Sequence, residues 1–188
     1  QKEIQADGAV AFDLGAACSG FLFALNTAHA YIQTGVYQKA LVIGTEVLSK
    51  LVDWKDRSTC VLFGDGAGAA VVEASEEGLQ GFVQYSDGKK GEVLSCISRP
   101  VENLIHRKEE GTDYRTPVSD YLTMNGQEVF RFAVKKVPEC IHQLLDQTRT
   151  RADQVDWYIL HQPNSPIYQS VAKRMGVDEA RFNMNMDR

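Results

Sequence analysis

Between Asp13 and Lys39 the chain carries no Asp, Glu, Lys or Arg. A helix without charge on any face is a buried helix. Phe21, Leu22, Leu25, Ala28 and Ile32 follow Cys18 at helical spacing, so the stretch predicts a buried helix over 17–35. Asn26, Thr27, His29, Gln33 and Gly35 interrupt its apolar character, which makes it a core helix rather than a membrane span. Ahead of it, residues 9–14 are short and apolar and predict a buried strand. Residues 39–45 predict another. A strand–helix–strand unit with strands apolar on both faces fits a parallel sheet covered by helices, and hence an α/β fold.

Cys18 lies where the first strand gives way to the helix. Gly15, Ala16, Ala17, Ser19 and Gly20 surround it, so no large neighbour blocks the thiol. Unpaired backbone N–H groups and the helix dipole favour a thiolate at such a place, which is how a cysteine nucleophile is prepared. Cys60, Cys96 and Cys140 are widely spaced and form no C-x-x-C pair. Neither a metal site nor a disulfide framework is expected, and a reducing, cytoplasmic setting fits. A net charge of −5 argues against nucleic acid as a partner, since phosphate binding requires a basic surface.

Further along, 46–59 reads as a charged connection. The glycine cluster of 64–68 reads as a tight turn leading into a strand at Val71 and Val72. It lacks the Lys-Ser/Thr ending of a phosphate loop and precedes a strand, so it is no nucleotide fingerprint. A turn at 75–78 suggests a boundary between 1–77 and 78–188. In the second part a strand is expected at 81–85 and a surface excursion over 86–120. A long amphipathic helix should start at Gly126, with Pro138 bending or interrupting it. A strand over 155–160, with Trp157 and Tyr158 in the core, should precede a helix over 165–175. His161 falls at the carboxyl end of that strand. Ligands gather beyond such ends in open α/β sheets, and an imidazole there can exchange a proton near neutral pH. A thiol and an imidazole delivered by two strand ends form a pairing suited to nucleophilic catalysis.

The stretches AFDLGAACSGFLFAL, ALVIGTEVLS, DWKDRSTCVLFGDGAGAAVV, LTMNGQEVFRFAV and WYILHQPN, taken together and in this order, resemble the β-ketoacyl-[acyl-carrier-protein] synthase III family of thiolase-like condensing enzymes. The resemblance implies a thiolase-like fold of two similar halves, each with a mixed five-stranded sheet layered between helices, in a homodimer. It implies transfer of a short acyl group from coenzyme A to Cys18. A decarboxylative condensation with malonyl-acyl carrier protein, promoted by His161, would follow. It places Arg57 against the adenine of coenzyme A, and Gly126, Phe130 and Asn164 along the pantetheine tunnel. No metal and no permanently bound cofactor are implied; acyl-CoA is a substrate. No nucleic acid or membrane partner is expected.

The family's third catalytic residue, an asparagine, is expected beyond Arg188. An amino-terminal portion is also missing against the family pattern, so the chain is expected to be inactive alone. Pro163 and Pro166 stand where the family usually has alanine and a basic residue that helps to dock the acidic carrier protein. Two other readings remain. One is a different condensing enzyme, of the polyketide, alkylquinolone or 3-hydroxy-3-methylglutaryl-CoA synthase type. The other is a non-catalytic partner subunit on the same fold, against which the intact Ala-Cys-Ser-Gly frame speaks.

Overall fold

The structure is a computed structural model that describes residues 1–96 and 121–185. Its chain divides into two compact units. One comprises Gln1–Thr45 and Ala67–Leu79, the other Glu46–Gly66 and Gln80–Arg188.

In the first unit, a 3-10 turn at Ala17–Ser19 runs directly into helix α1, Gly20–Gln33. Strands β1 (Lys39–Val47) and β2 (Asp65–Glu73) pair with each other, and most of both lies in this unit. Gly44 on β1 permits the close approach of α1: a methyl there would meet the Phe21 ring at 3.3 Å. Near the end of the helix, Tyr31 meets Phe12 and Tyr37 edge-on, with ring centroids 6.5 and 5.2 Å apart. Lys39 and Glu73 close the sheet with an ion pair of 2.8 Å.

Three expectations fail in this unit. Residues 9–14 form no regular element, and Val10 is 63% exposed. Helix α1 buries only Ala28 rather than its whole surface. The glycine cluster is no turn, because Gly66 and Gly68 lie inside β2. The reasons are shared. A strand exists only when a neighbour accepts its hydrogen bonds, and burial only when another surface covers it; neither is written in local composition.

The second unit holds the main core. Strands β3 (Leu94–Cys96) and β4 (Leu122–Met124) form an antiparallel pair with Ser95 opposite Thr123. The Leu122 N–H donates to the Leu51 carbonyl at 2.7 Å, tying β4 to residues 46–66. Helix α2 follows, Gly126–Thr148, capped by the Asn125 carboxamide, which accepts from the Glu128 N–H at 3.2 Å. It runs unbroken through Pro138, contrary to expectation. An interior proline costs a helix about 3 kcal/mol, but Val134 and Pro138 are the buried residues of α2, and burial of that face offsets the missing bond.

Helix α3, Ser165–Met175, has the predicted limits and packs on α2. It ends at Gly176, whose φ of 66° suits the left-handed closing residue. Val171, fully buried, lies at the centre with Val134, Tyr158, Ile167, Tyr168 and Phe182. The expected strand over 155–160 shrinks to a single parallel bridge, Tyr158 to Phe182. Tyr158 is buried there, while Trp157 is 62% exposed and not in the core. No strand forms at 81–85 either. Gly81 instead lies against Leu144 and Thr148 of α2. Of the expected excursion, residues 97–120 lie outside the described residues, and 88–96 hold a 3-10 turn and β3.

Candidate active site

Small residues let the backbone before Cys18 turn sharply. Ala16 has φ −141°, and Ala17 stands in the left-handed region with φ 45°. That conformation is strained for a residue with a β-carbon, and such strain is typical of functional turns. The Ser19 N–H then donates to the Ala16 carbonyl at 3.0 Å, closing the turn that carries Cys18. Cys18 is solvent-exposed and in no disulfide. No side chain caps this turn or α1, and neither has an acidic residue in its first turn. The positive end of the helix therefore lies next to the thiol, an arrangement suited to developing negative charge.

In the second unit, Gly126 and Phe130 of α2 and Asn164 at the start of α3 line one open cleft of about 470 Å³, together with Gln127, Arg131 and Pro166. Three of the residues expected at a binding tunnel thus come together. A methyl on Gly126 would meet only the Met124 methyl, at 3.8 Å, so room in the cleft rather than packing is what glycine supplies. Phe130 is shared between the cleft and the core. Asn164 Oδ1 accepts from the Ile167 N–H at 3.2 Å and caps α3. Its amide nitrogen has no partner among the described residues and can donate to a bound molecule.

His161 precedes Asn164 by one turn of chain. His161 is exposed to solvent, yet the protein atoms around it withdraw enough water to lower its pKa below the ordinary histidine value, because partial desolvation penalises the charged form. A neutral imidazole near pH 7 can accept a proton or donate one N–H. It forms no hydrogen bond among the described residues.

Arg57 sits elsewhere in this unit, exposed and outside the cleft lining. Its turn is held by Asp56, which accepts from the Ser58 N–H at 2.9 Å, the Ser58 hydroxyl at 2.7 Å and the buried Thr59 hydroxyl at 3.1 Å. The Ser58 bonds hold the Asp56 carboxyl below its usual range. Cys18 belongs to the other compact unit.

Sequence reasoning missed Arg131, Gln127 and the charge chain at the cleft. Glu128 accepts from Lys90 at 2.8 Å and from Arg131 at 2.6 Å. These cations, Lys90 foremost, hold its carboxyl below the usual range. The three-residue spacing of Glu128 and Arg131 was a legible signal; the partnership with the remote Lys90 was not. Among the described residues, no group of three or more His, Cys, Asp or Glu is placed to hold a metal, and no helix is long and apolar enough to cross a membrane.

Residues 12–91 match the family profile described as 3-oxoacyl-[acyl-carrier-protein] synthase III, and residues 145–188 match that of its C-terminal part. Cys18 and Arg57 fall in the first match, His161 and Asn164 in the second. The β-ketoacyl-[acyl-carrier-protein] synthase III of Synechococcus sp. strain WH7803 is 50% identical over 187 residues, which are 99% of this chain and 55% of that protein. The crystal structure of 3-oxoacyl-[acyl-carrier-protein] synthase III from Aquifex aeolicus VF5 superposes with a TM-score of 0.85 at 34% identity, covering 100% of this chain and 55% of that one. The priming β-ketosynthase from the R1128 polyketide biosynthetic pathway superposes with a TM-score of 0.82 at 32% identity, over 97% of this chain and 53% of that one. The fold is thus thiolase-like, and the chain spans about half the length of the relatives it matches.

Proposed function

The chain belongs to the 3-oxoacyl-[acyl-carrier-protein] synthase III family, and from that premise we propose that the protein of which it is part starts fatty acid synthesis. The reaction is the condensation of an acyl-CoA primer with malonyl-acyl carrier protein. One observation carries the reading: Cys18 and His161 fall within the two separate family matches. In this reading residues 1–77 belong to the half with the nucleophile and 78–188 to the half with the histidine, in a homodimer that works in the cytoplasm.

The Cys18 sulfur attacks the thioester carbonyl of acyl-CoA. The carbon–sulfur bond to coenzyme A breaks, and the coenzyme leaves as its thiol, taking up the proton that the Cys18 thiol gave up. Malonyl-acyl carrier protein then loses CO2, and the electron pair of the broken bond becomes an enolate. The His161 imidazole donates an N–H to the enolate oxygen, a stabilisation worth most where water is excluded. The enolate carbon attacks the acyl-Cys18 carbonyl, a carbon–carbon bond forms, and the cysteine thiolate departs from the 3-ketoacyl product. Gly126, Phe130 and Asn164 hold the pantetheine arm, and Arg57 stacks on the adenine. No permanently bound cofactor or metal enters these steps.

The test is the full-length protein given acetyl-CoA and malonyl-acyl carrier protein. Release of CO2 together with acetoacetyl-acyl carrier protein supports the reading, and Cys18→Ala should abolish the condensation. The likeness to a priming β-ketosynthase favours one second reading, a polyketide starter role. A strong preference for primers longer than acetyl, with the same chemistry, would select it.

A further inference from the structure

We propose that Gln162 is the positioning residue for His161: its carboxamide replaces a missing rung of main-chain pairing and so fixes the bulge on which the histidine stands. At Tyr158 the chain is paired with the segment around Phe182 in parallel. The Tyr158 N–H donates to the Arg181 carbonyl at 2.8 Å, and the Asn183 N–H donates to the Tyr158 carbonyl at 3.3 Å. If this ladder continued, Leu160 would take the next rung, donating to the Asn183 carbonyl and accepting from the Asn185 N–H. It takes neither. The Leu160 carbonyl accepts from the Tyr168 hydroxyl instead, at 3.4 Å.

Both vacant places are filled by one side chain. Gln162 Nε2 donates to the Asn183 carbonyl at 3.1 Å, and its Oε1 accepts from the Asn185 N–H at 3.0 Å. A carboxamide offers the same donor and acceptor as a peptide group, so it can stand in for the rung that Leu160 leaves. Residues 159–161 are free to arch away between the two fixed rungs, and His161 sits on that arch. Pro163 then fixes the exit of the chain, and the Asn164 cap fixes the start of α3. The imidazole forms no hydrogen bond of its own among the described residues, so these backbone ties set its place.

The inference rests on His161 acting in decarboxylation, as proposed above. In the full-length protein, Gln162→Ala and the similarly shaped Gln162→Met remove both bonds. We expect kcat for malonyl decarboxylation to fall about tenfold or more with KM within about twofold, the pattern of lost transition-state alignment. Acyl loading of Cys18 should stay within about twofold in the same preparations, by the same measure of unperturbed steps. The acid limb of the decarboxylation profile should move to higher pH as water reaches the loosened ring. Unchanged decarboxylation kcat and acid limb in a folded variant would overturn the proposal. So would failure of both variants to fold, because Gln162 would then be a stability residue only. His161→Ala, run in parallel, separates the two ideas. If it leaves decarboxylation intact, the role of His161 itself is wrong. If it abolishes decarboxylation while the Gln162 variants retain it, only the positioning role is wrong.

Discussion

Ala17 and His161 make the same point at the scale of single residues, since each owes its state to surroundings that its own letter does not announce. The left-handed φ of 45° at Ala17 has no glycine to signal it, so the sharp turn under Cys18 was invisible in the sequence. The small residues around Cys18 were legible and placed the thiol correctly at a helix start. For His161, the motif and its place before α3 were legible, but the lowered pKa was not, because it arises from packing. That shift has a definite sign. The unfolded chain takes up the proton first, so the stability associated with a neutral His161 is fully present above the unfolded pKa of about 6.5. It declines as pH falls through the folded pKa. Melting temperatures of the full-length protein should therefore drop more on acidification from pH 7 to 5 than those of His161→Gln. Parallel drops would remove the linkage. For the same reason, decarboxylation should hold its rate below the pH at which an ordinary histidine is half charged.

Among the elements, helices were legible and strands only in part: the strands expected at 39–45 and at Val71–Val72 are present as β1 and within β2, whereas three others are not. Helix α3 has the predicted limits and α2 the predicted start, because helical hydrogen bonds join residues four apart and leave a periodic mark on the sequence. Residues 9–14, 81–85 and 155–160 were read as strands from composition, yet each needs a partner that no local pattern can name. Tyr158 and Phe182 show what such pairing is worth. Their rings stack with centroids 5.0 Å apart, and Tyr168 meets Phe182 edge-on at 6.4 Å. Phe182→Ala removes the shared ring and leaves a cavity at the junction of α3 and the bridge, so it should destabilise this unit by about 3–5 kcal/mol. Urea unfolding of the full-length protein, followed by the fluorescence of Trp157, would measure it. A loss below about 1 kcal/mol would mean that the site collapses freely around the gap.

For the whole molecule, charge sets the terms of encounter. The chain carries a net −5, and an acidic carrier protein needs a local positive patch to approach it. Arg131 and Pro166 share the cleft, but Arg131 is already paired with Glu128. Pro166 occupies the first turn of α3, where proline fits without strain. Pro166→Arg should thus leave the fold intact and raise the association rate with malonyl-acyl carrier protein. The gain should shrink as salt is added. A rate unchanged at low salt would show that the carrier docks away from this cleft. How the two compact units cooperate belongs to the protein over the full length of its relatives, of which this chain spans about half.

The central claim is that Cys18 carries the acyl group between the two half-reactions. Mass spectrometry of peptides from the full-length protein, quenched after mixing with acetyl-CoA alone, tests it directly. The account predicts an acetyl group on the peptide containing Cys18, discharged when malonyl-acyl carrier protein is added. Acetylation of Cys60, Cys96 or Cys140 in its place, or an acetyl-Cys18 that malonyl-acyl carrier protein cannot discharge, would contradict it.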